Sequence, residues 1–159
     1  MTTRARRLAA ALLGAILLWA APLQAQPPAP TLLNATLAGA VTADVTAGVF
    51  SLPRTESLTL QAVITVAGGG TTAKAWVQTS FDGGATWNDI ANFAFTTTTA
   101  TRIYHLTAAA VTTIATPTDG TLADNTAVNG LLGSVVRVKL TTTGTYTGAS
   151  SFVIRALAK

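Results

Sequence analysis

An antiparallel β-sandwich of about seven or eight short strands is the fold this sequence predicts, and three observations predict it. Apolar and polar residues alternate in groups of strand length, most plainly over Ser57–Val66. Turn-forming residues recur about every ten positions through the body of the chain. Charged residues make up only 10% and aromatics 6% of a chain rich in Thr and Ala, which suits strands joined by small-residue turns and not a helical bundle. With 159 residues there is enough chain for one core plus a leader, and too little for a propeller or an α/β barrel.

The first 25 residues form a leader. Arg4, Arg6 and Arg7 precede an apolar run from Leu8 to Ala21, and Leu23-Gln24-Ala25 ends in a small residue suited to cleavage. The run is shorter than the roughly 20 residues a membrane-spanning helix needs, and Pro22 follows it. A secretory signal peptide is the expectation, with an uncleaved N-terminal anchor as the alternative; only through these residues would the chain meet a membrane. Cleaved, the protein would be exported to the periplasm or beyond. Residues 26–56 read as a proline-rich linker, Gln26-Pro27-Pro28-Ala29-Pro30, followed by weak strands between Leu37 and Phe50. The sandwich domain is expected at 57–159.

Within that domain Leu58, Leu60, Ala62, Ile64 and Val66 point one way and Ser57, Thr59, Gln61 and Thr65 the other, so this strand lays one face on the core. Gly68-Gly69-Gly70 ends it. A strand at Lys74–Thr79 follows, with Trp76 and Gln78 opposite Ala75, Val77 and Thr79. Its hairpin partner alternates Trp87, Asp89, Ala91, Phe93 and Phe95 against Asn88, Ile90, Asn92 and Ala94. Thr101–Leu106 is the next strand. Residues 108–133 read as a long loop punctuated by Pro117, Asp119-Gly120, Asp124-Asn125 and Asn129-Gly130, with one helical turn near Leu122–Val128. Ser134–Leu140 and Ser151–Leu157 are expected to close the domain as a hairpin through Gly144–Gly148. Local pattern does not choose between a jelly-roll-like and an immunoglobulin-like order.

Charge and composition exclude several functions. The formal charge is +4, but without the three leader arginines ten Lys+Arg become seven against six Asp+Glu, about +1, with no cluster to displace counterions from nucleic acid. The absence of cysteine removes disulfides, thiolate metal sites and a Cys nucleophile. His105 is the single histidine and has no motif partner to make it a base. No pair of carboxylates stands at a spacing that suggests acid/base work. The chain is expected not to be an enzyme and to need no cofactor. Calcium is the one candidate ion, because Asp119, Asp124 and Asn125 share a loop and offer hard oxygens, although their spacing fits no EF-hand and the same pairs form turns. Trp76 and Tyr104, with Trp87, would make a sugar-stacking platform if they shared an exposed face.

The tightest local signal is Ser80-Phe81-Asp82-Gly83-Gly84-Ala85-Thr86-Trp87. Asp82 can accept from backbone N–H groups of its own turn, Gly83 and Gly84 allow positive φ, Ser80 and Thr86 can bond across it, and Trp87 can bury its ring in the core. These eight residues match the Ser-x-Asp-x-Gly-x-Thr-Trp pattern of the Asp box, or sialidase repeat. In proteins that carry it the motif is mostly a folding device, and one box without blades, arginine cluster or tyrosine nucleophile does not make a sialidase.

Three longer segments, Ala73–Trp87, Pro117–Asn125 and Arg137–Tyr146, resemble small all-β structural proteins of tailed bacteriophages and prophages, over roughly residues 57–159. That resemblance implies a virion component, a capsid-decorating or tail-associated domain on a virion surface, partnered by its own copies or by other virion proteins. The alternative is a secreted carbohydrate-binding or adhesion module, which the leader, the Asp box and the long loop would suit.

Overall fold

A computed structural model describes residues 28–40, 45–46, 48–52, 54–109 and 116–159. The leader at 1–25 lies outside them. Nine strands and no helix are found among the described residues. They are β1 (Thr31–Ala40), β2 (Val45–Thr46), β3 (Phe50–Ser51), β4 (Ser57–Thr65), β5 (Thr72–Ser80), β6 (Asn88–Phe95), β7 (Ala100–Thr107), β8 (Val135–Thr143) and β9 (Thr145–Ala158).

They form two antiparallel sheets facing each other across one core. One sheet runs β1-β9-β4-β7; the other runs β2-β8-β5-β6, with β3 also on β8. Because β2 pairs at Val45↔Leu140 and β3 at Phe50↔Val136, the two act as one interrupted edge strand along β8. Counted so, the eight positions pair first with last, second with seventh, third with sixth and fourth with fifth. That is a single antiparallel ribbon rolled up, the jelly-roll winding, and it resolves the choice the local pattern left open.

The alternation expected of β4 is observed: Leu58, Leu60, Ala62 and Ile64 are fully buried. Across the core, β5 contributes Ala73, Ala75 and Val77, β8 contributes Val136, Val138 and Leu140, and β9 contributes Phe152 and Ile154. Each of the larger of these side chains contributes about 1.5–3 kcal/mol by leaving water. Two aromatic contacts tie sheet to sheet: Phe95 meets Phe152 edge-on at 5.4 Å, and Phe93 lies 4.8 Å from Tyr104.

Four expectations need correction. The sandwich does not begin at residue 57, since β1 brings buried Leu32, Leu33 and Leu37 into it. Residues 122–128 make no helical turn; they hold a tight turn with Asn125 in the left-handed region at φ 56 and then a single bridge, Ala91↔Ala127. The closing strands do not pair as a hairpin. The chain turns at Gly144 alone and crosses between sheets, where φ is 76 and a Cβ would lie 2.5 Å from Thr71 Oγ1.

The fourth correction concerns β6. Pairing steps from Val77↔Ala91 to Gln78↔Asp89, which leaves Ile90 as a bulge. Ile90 and Ala91 both enter the core, and Asp89 is turned to the opposite face from Phe93 and Phe95. Simple alternation had put Asp89 on the Phe93 side.

Candidate functional site

The outer face of the β8-β5-β6 sheet should be wet, yet Gln78 is 0% exposed and Asp89 3%. The cover is the chain from 116 to 130, which runs along β6 as a strap. It bonds to the strand's free edge through Asp89 N–H to Thr118 O, Asn92 N–H to Thr126 O and Val128 N–H to Ile90 O.

Asp89 holds the strap down. Its Oδ1 accepts from Gln78 Nε2 at 2.7 Å and Gly120 N–H at 2.9 Å. Its Oδ2 accepts from Thr118 Oγ1 at 2.8 Å and from the N–H groups of Thr121 and Leu122, each at 3.1 Å. Burial pushes this carboxyl up, but the bonds from Gly120, Gln78, Thr118 and Leu122 together outweigh it and hold the group below its ordinary 3.8. Gln78 spends its other amide hydrogen on Asp119 Oδ1 and accepts from Arg137 Nε, both at 2.7 Å.

The octapeptide Ser80–Trp87 forms a second, exposed clasp at the β5–β6 turn. Ser80 Oγ donates to Asp82 Oδ1 at 2.6 Å and accepts from Gly84 N–H at 2.8 Å. Thr86 gives its N–H to Asp82 Oδ1 at 2.9 Å and its hydroxyl to Oδ2 at 2.7 Å. Gly83 and Gly84 sit at φ 74 and 104, as the turn requires. Bonds from Ser80 and then Thr86 hold the Asp82 carboxyl far below the usual carboxylate range. Trp87 is not in the core as expected. It is half-buried with the Arg137 guanidinium 4.2 Å above its ring. Through Arg137 and Gln78 the clasp is joined to the Asp89 network.

The residues expected to bind something are thus mostly engaged in the fold. Trp76 is buried under the strap with its indole N–H on Leu122 O at 3.1 Å, while Tyr104 packs against the core from the other sheet, so the aromatic platform does not form. Asp119 lies 3.6 Å from Arg137 Nη2 and 3.9 Å from Lys139 Nζ, Asp124 pairs with Lys74 at 2.8 Å, and Asn125 Oδ1 accepts from Ala94 N–H. Their oxygens face the chain's own cations and amides and do not converge on a common point. No group of three or more His, Cys, Asp or Glu suited to a metal is found among the described residues. His105 Nδ1 lies 2.9 Å from Thr59 Oγ1 across an exposed strand pair.

Sequence reasoning missed Asp89, Gln78 and Arg137. The available signal was an acidic residue inside an otherwise apolar strand, where Asp is depleted unless something bonds it.

The outer face of the other sheet is treated differently. Val63 and Val153 sit opposite each other at its centre, Ile103 is 60% exposed in one row with Gln61 and Arg155, and Thr59, Thr101 and Ser151 lie on the same face. At one end of β7 the Thr107 N–H and C=O are taken by Asn129 Oδ1 and Gly130 N–H. Antiparallel alternation puts the backbone groups of Thr101, Ile103 and His105 on the same outward side. No described strand pairs there.

No protein-family model, curated protein or solved structure matches this chain.

Proposed function

We propose that the chain is a non-enzymatic assembly module that adds a rigid β-domain to a larger particle, a phage or phage-like virion being the particle its segments resemble. One observation carries this reading: the two sheets treat their surfaces oppositely. The β6 edge and its face are strapped shut by the chain's own loop, whereas among the described residues no strand covers the β7 edge from Thr101 to His105 or the face around Ile103, where Arg155 is the charged side chain in its row. Natural sheets usually blunt such an edge with charge, bulges or cover. An edge left open beside a β-branched face suits pairing with a second copy or with a shell protein. If the leader is removed, the module works outside the cytoplasm.

Sedimentation velocity of the full chain over a wide concentration range tests the reading. Reversible self-association is expected, and Ile103→Lys should abolish it while changing stability by no more than about 0.5 kcal/mol, as for an ordinary surface site. A strict monomer whose gene has no virion genes as neighbours would overturn it.

A further inference from the structure

Beside the clasp the surface opens into a cleft of about 320 Å³, lined by Leu52, Arg54, Thr55, Phe81, Leu132, Gly133 and Ser134. Its volume is at the small end of the range for small-molecule sites. Three features mark it out from an ordinary surface dent.

The first is an aromatic wall. Phe81 is 59% exposed, and among the described residues only Val49 and Ile103 are large apolar side chains comparably open to solvent. The backbone that carries it is anchored at the neighbouring Ser80, whose hydroxyl is in the Asp82 clasp and whose carbonyl accepts from Ser134 N–H at 3.0 Å. The floor beside it is equally tight, since a Cβ on Gly133 would lie 2.2 Å from Ser80 O.

The second is a cation with no ion pair among the described residues. Arg54 is exposed, and the ion pairs found among the described residues use Lys74, Arg137 and Lys139 instead. Its guanidinium offers a planar fork matched to a carboxylate.

The third is backbone strain. Arg54 has φ 52, a left-handed conformation that a residue of this size rarely adopts and that clusters at binding sites.

We infer that this cleft binds an acidic sugar of the uronate type. The carboxylate takes the Arg54 fork, the apolar face of the ring lies on Phe81, and the hydroxyls reach Thr55 and Ser134. A flat aromatic acid would leave the Thr55 hydroxyl idle and offer nothing to Ser134, whose hydroxyl otherwise makes only a long 3.5 Å bond to Ser80 O, and a neutral sugar would leave Arg54 unmatched. The inference goes beyond the assembly reading and is independent of it, because a monomer would bind as well as an oligomer.

Glucuronate titrated into the full chain, followed by amide NMR, is the test, with glucose and benzoate as comparison ligands. Saturable shifts confined to residues 52–57, 80–82 and 132–134 are expected. Glucose should bind at least about tenfold more weakly. Arg54→Gln and Phe81→Ala should each weaken glucuronate about tenfold while leaving the rest of the spectrum in place. No saturation, equal response from Arg54→Gln, or benzoate binding as tightly as glucuronate would each overturn the proposal. Binding by glycans that end in uronate, but not by those carrying it internally, would place the natural ligand at a chain end.

Discussion

Asp82 and Asp89 lie seven positions apart and do the same work in opposite settings. Each gathers hydroxyl and amide donors around one carboxylate, and each is held below its ordinary titration range by them. Asp82 stands in solvent and collects donors from within its own turn, so water is always available to replace any bond it loses. Asp89 is buried and collects donors from β5 and from a strap about thirty residues further along the chain. Nothing replaces those bonds if they fail. The exposed hub shapes a turn, and the buried one decides whether a whole sheet face is covered.

The comparison is broken most sharply at Asp89. Asp89→Ala leaves three strap amides, the Thr118 hydroxyl and Gln78 without their acceptor in a closed space, and should lower stability by about 3–5 kcal/mol. Chemical denaturation measures this, and hydrogen exchange should quicken along 118–128 before it does in β4. If the strap amides stayed protected, the loop would be held by something other than this carboxylate.

Acid comes next. Both carboxylates have depressed folded-state values, so the stability they contribute is complete above the unfolded value near 3.8 and is lost as pH falls below it toward the folded values. The denaturation midpoint should hold steady from neutral pH down to about 4 and then drop. Asp89→Asn should flatten that drop, and a slope identical to wild type would remove Asp89 from the account.

Asp82→Ala should have the smallest effect. The turn frays, Trp87 loses its fixed place under Arg137, and exchange at Gly84 and Thr86 accelerates, while the global midpoint falls much less than with Asp89→Ala. Unchanged exchange at Thr86 would mean that the match to the Asp box is nominal.

What the sequence disclosed follows from the same contrast. The clasp was legible because its donors, acceptor and glycines occupy one octapeptide, and the inward stripe of β4 was legible because period-two alternation is local. The Asp89 hub was not, for two physical reasons. A bulge at Ile90 reverses the face on which Asp89 stands, so counting by twos gives the wrong side, and its donors come from a loop whose course no local pattern specifies. Trp76 was correctly set opposite Ala75 and Val77, but whether that face was wet or covered depended on the strap. The jelly-roll order likewise rests on pairings between distant strands. Nothing in Leu52-Pro53-Arg54 announces a left-handed arginine beside an exposed phenylalanine.

The pairing of β1 with β9 has a consequence for how the molecule is made. Thr31 bonds its partner at Arg155, almost the full length of the domain away, and β9 is also the strand that joins β1 to β4. The first sheet therefore cannot close until the last strand has left the ribosome, and a fold so dominated by distant contacts forms slowly. Until then β1 and β4 are unzipped and the chain is still threadable.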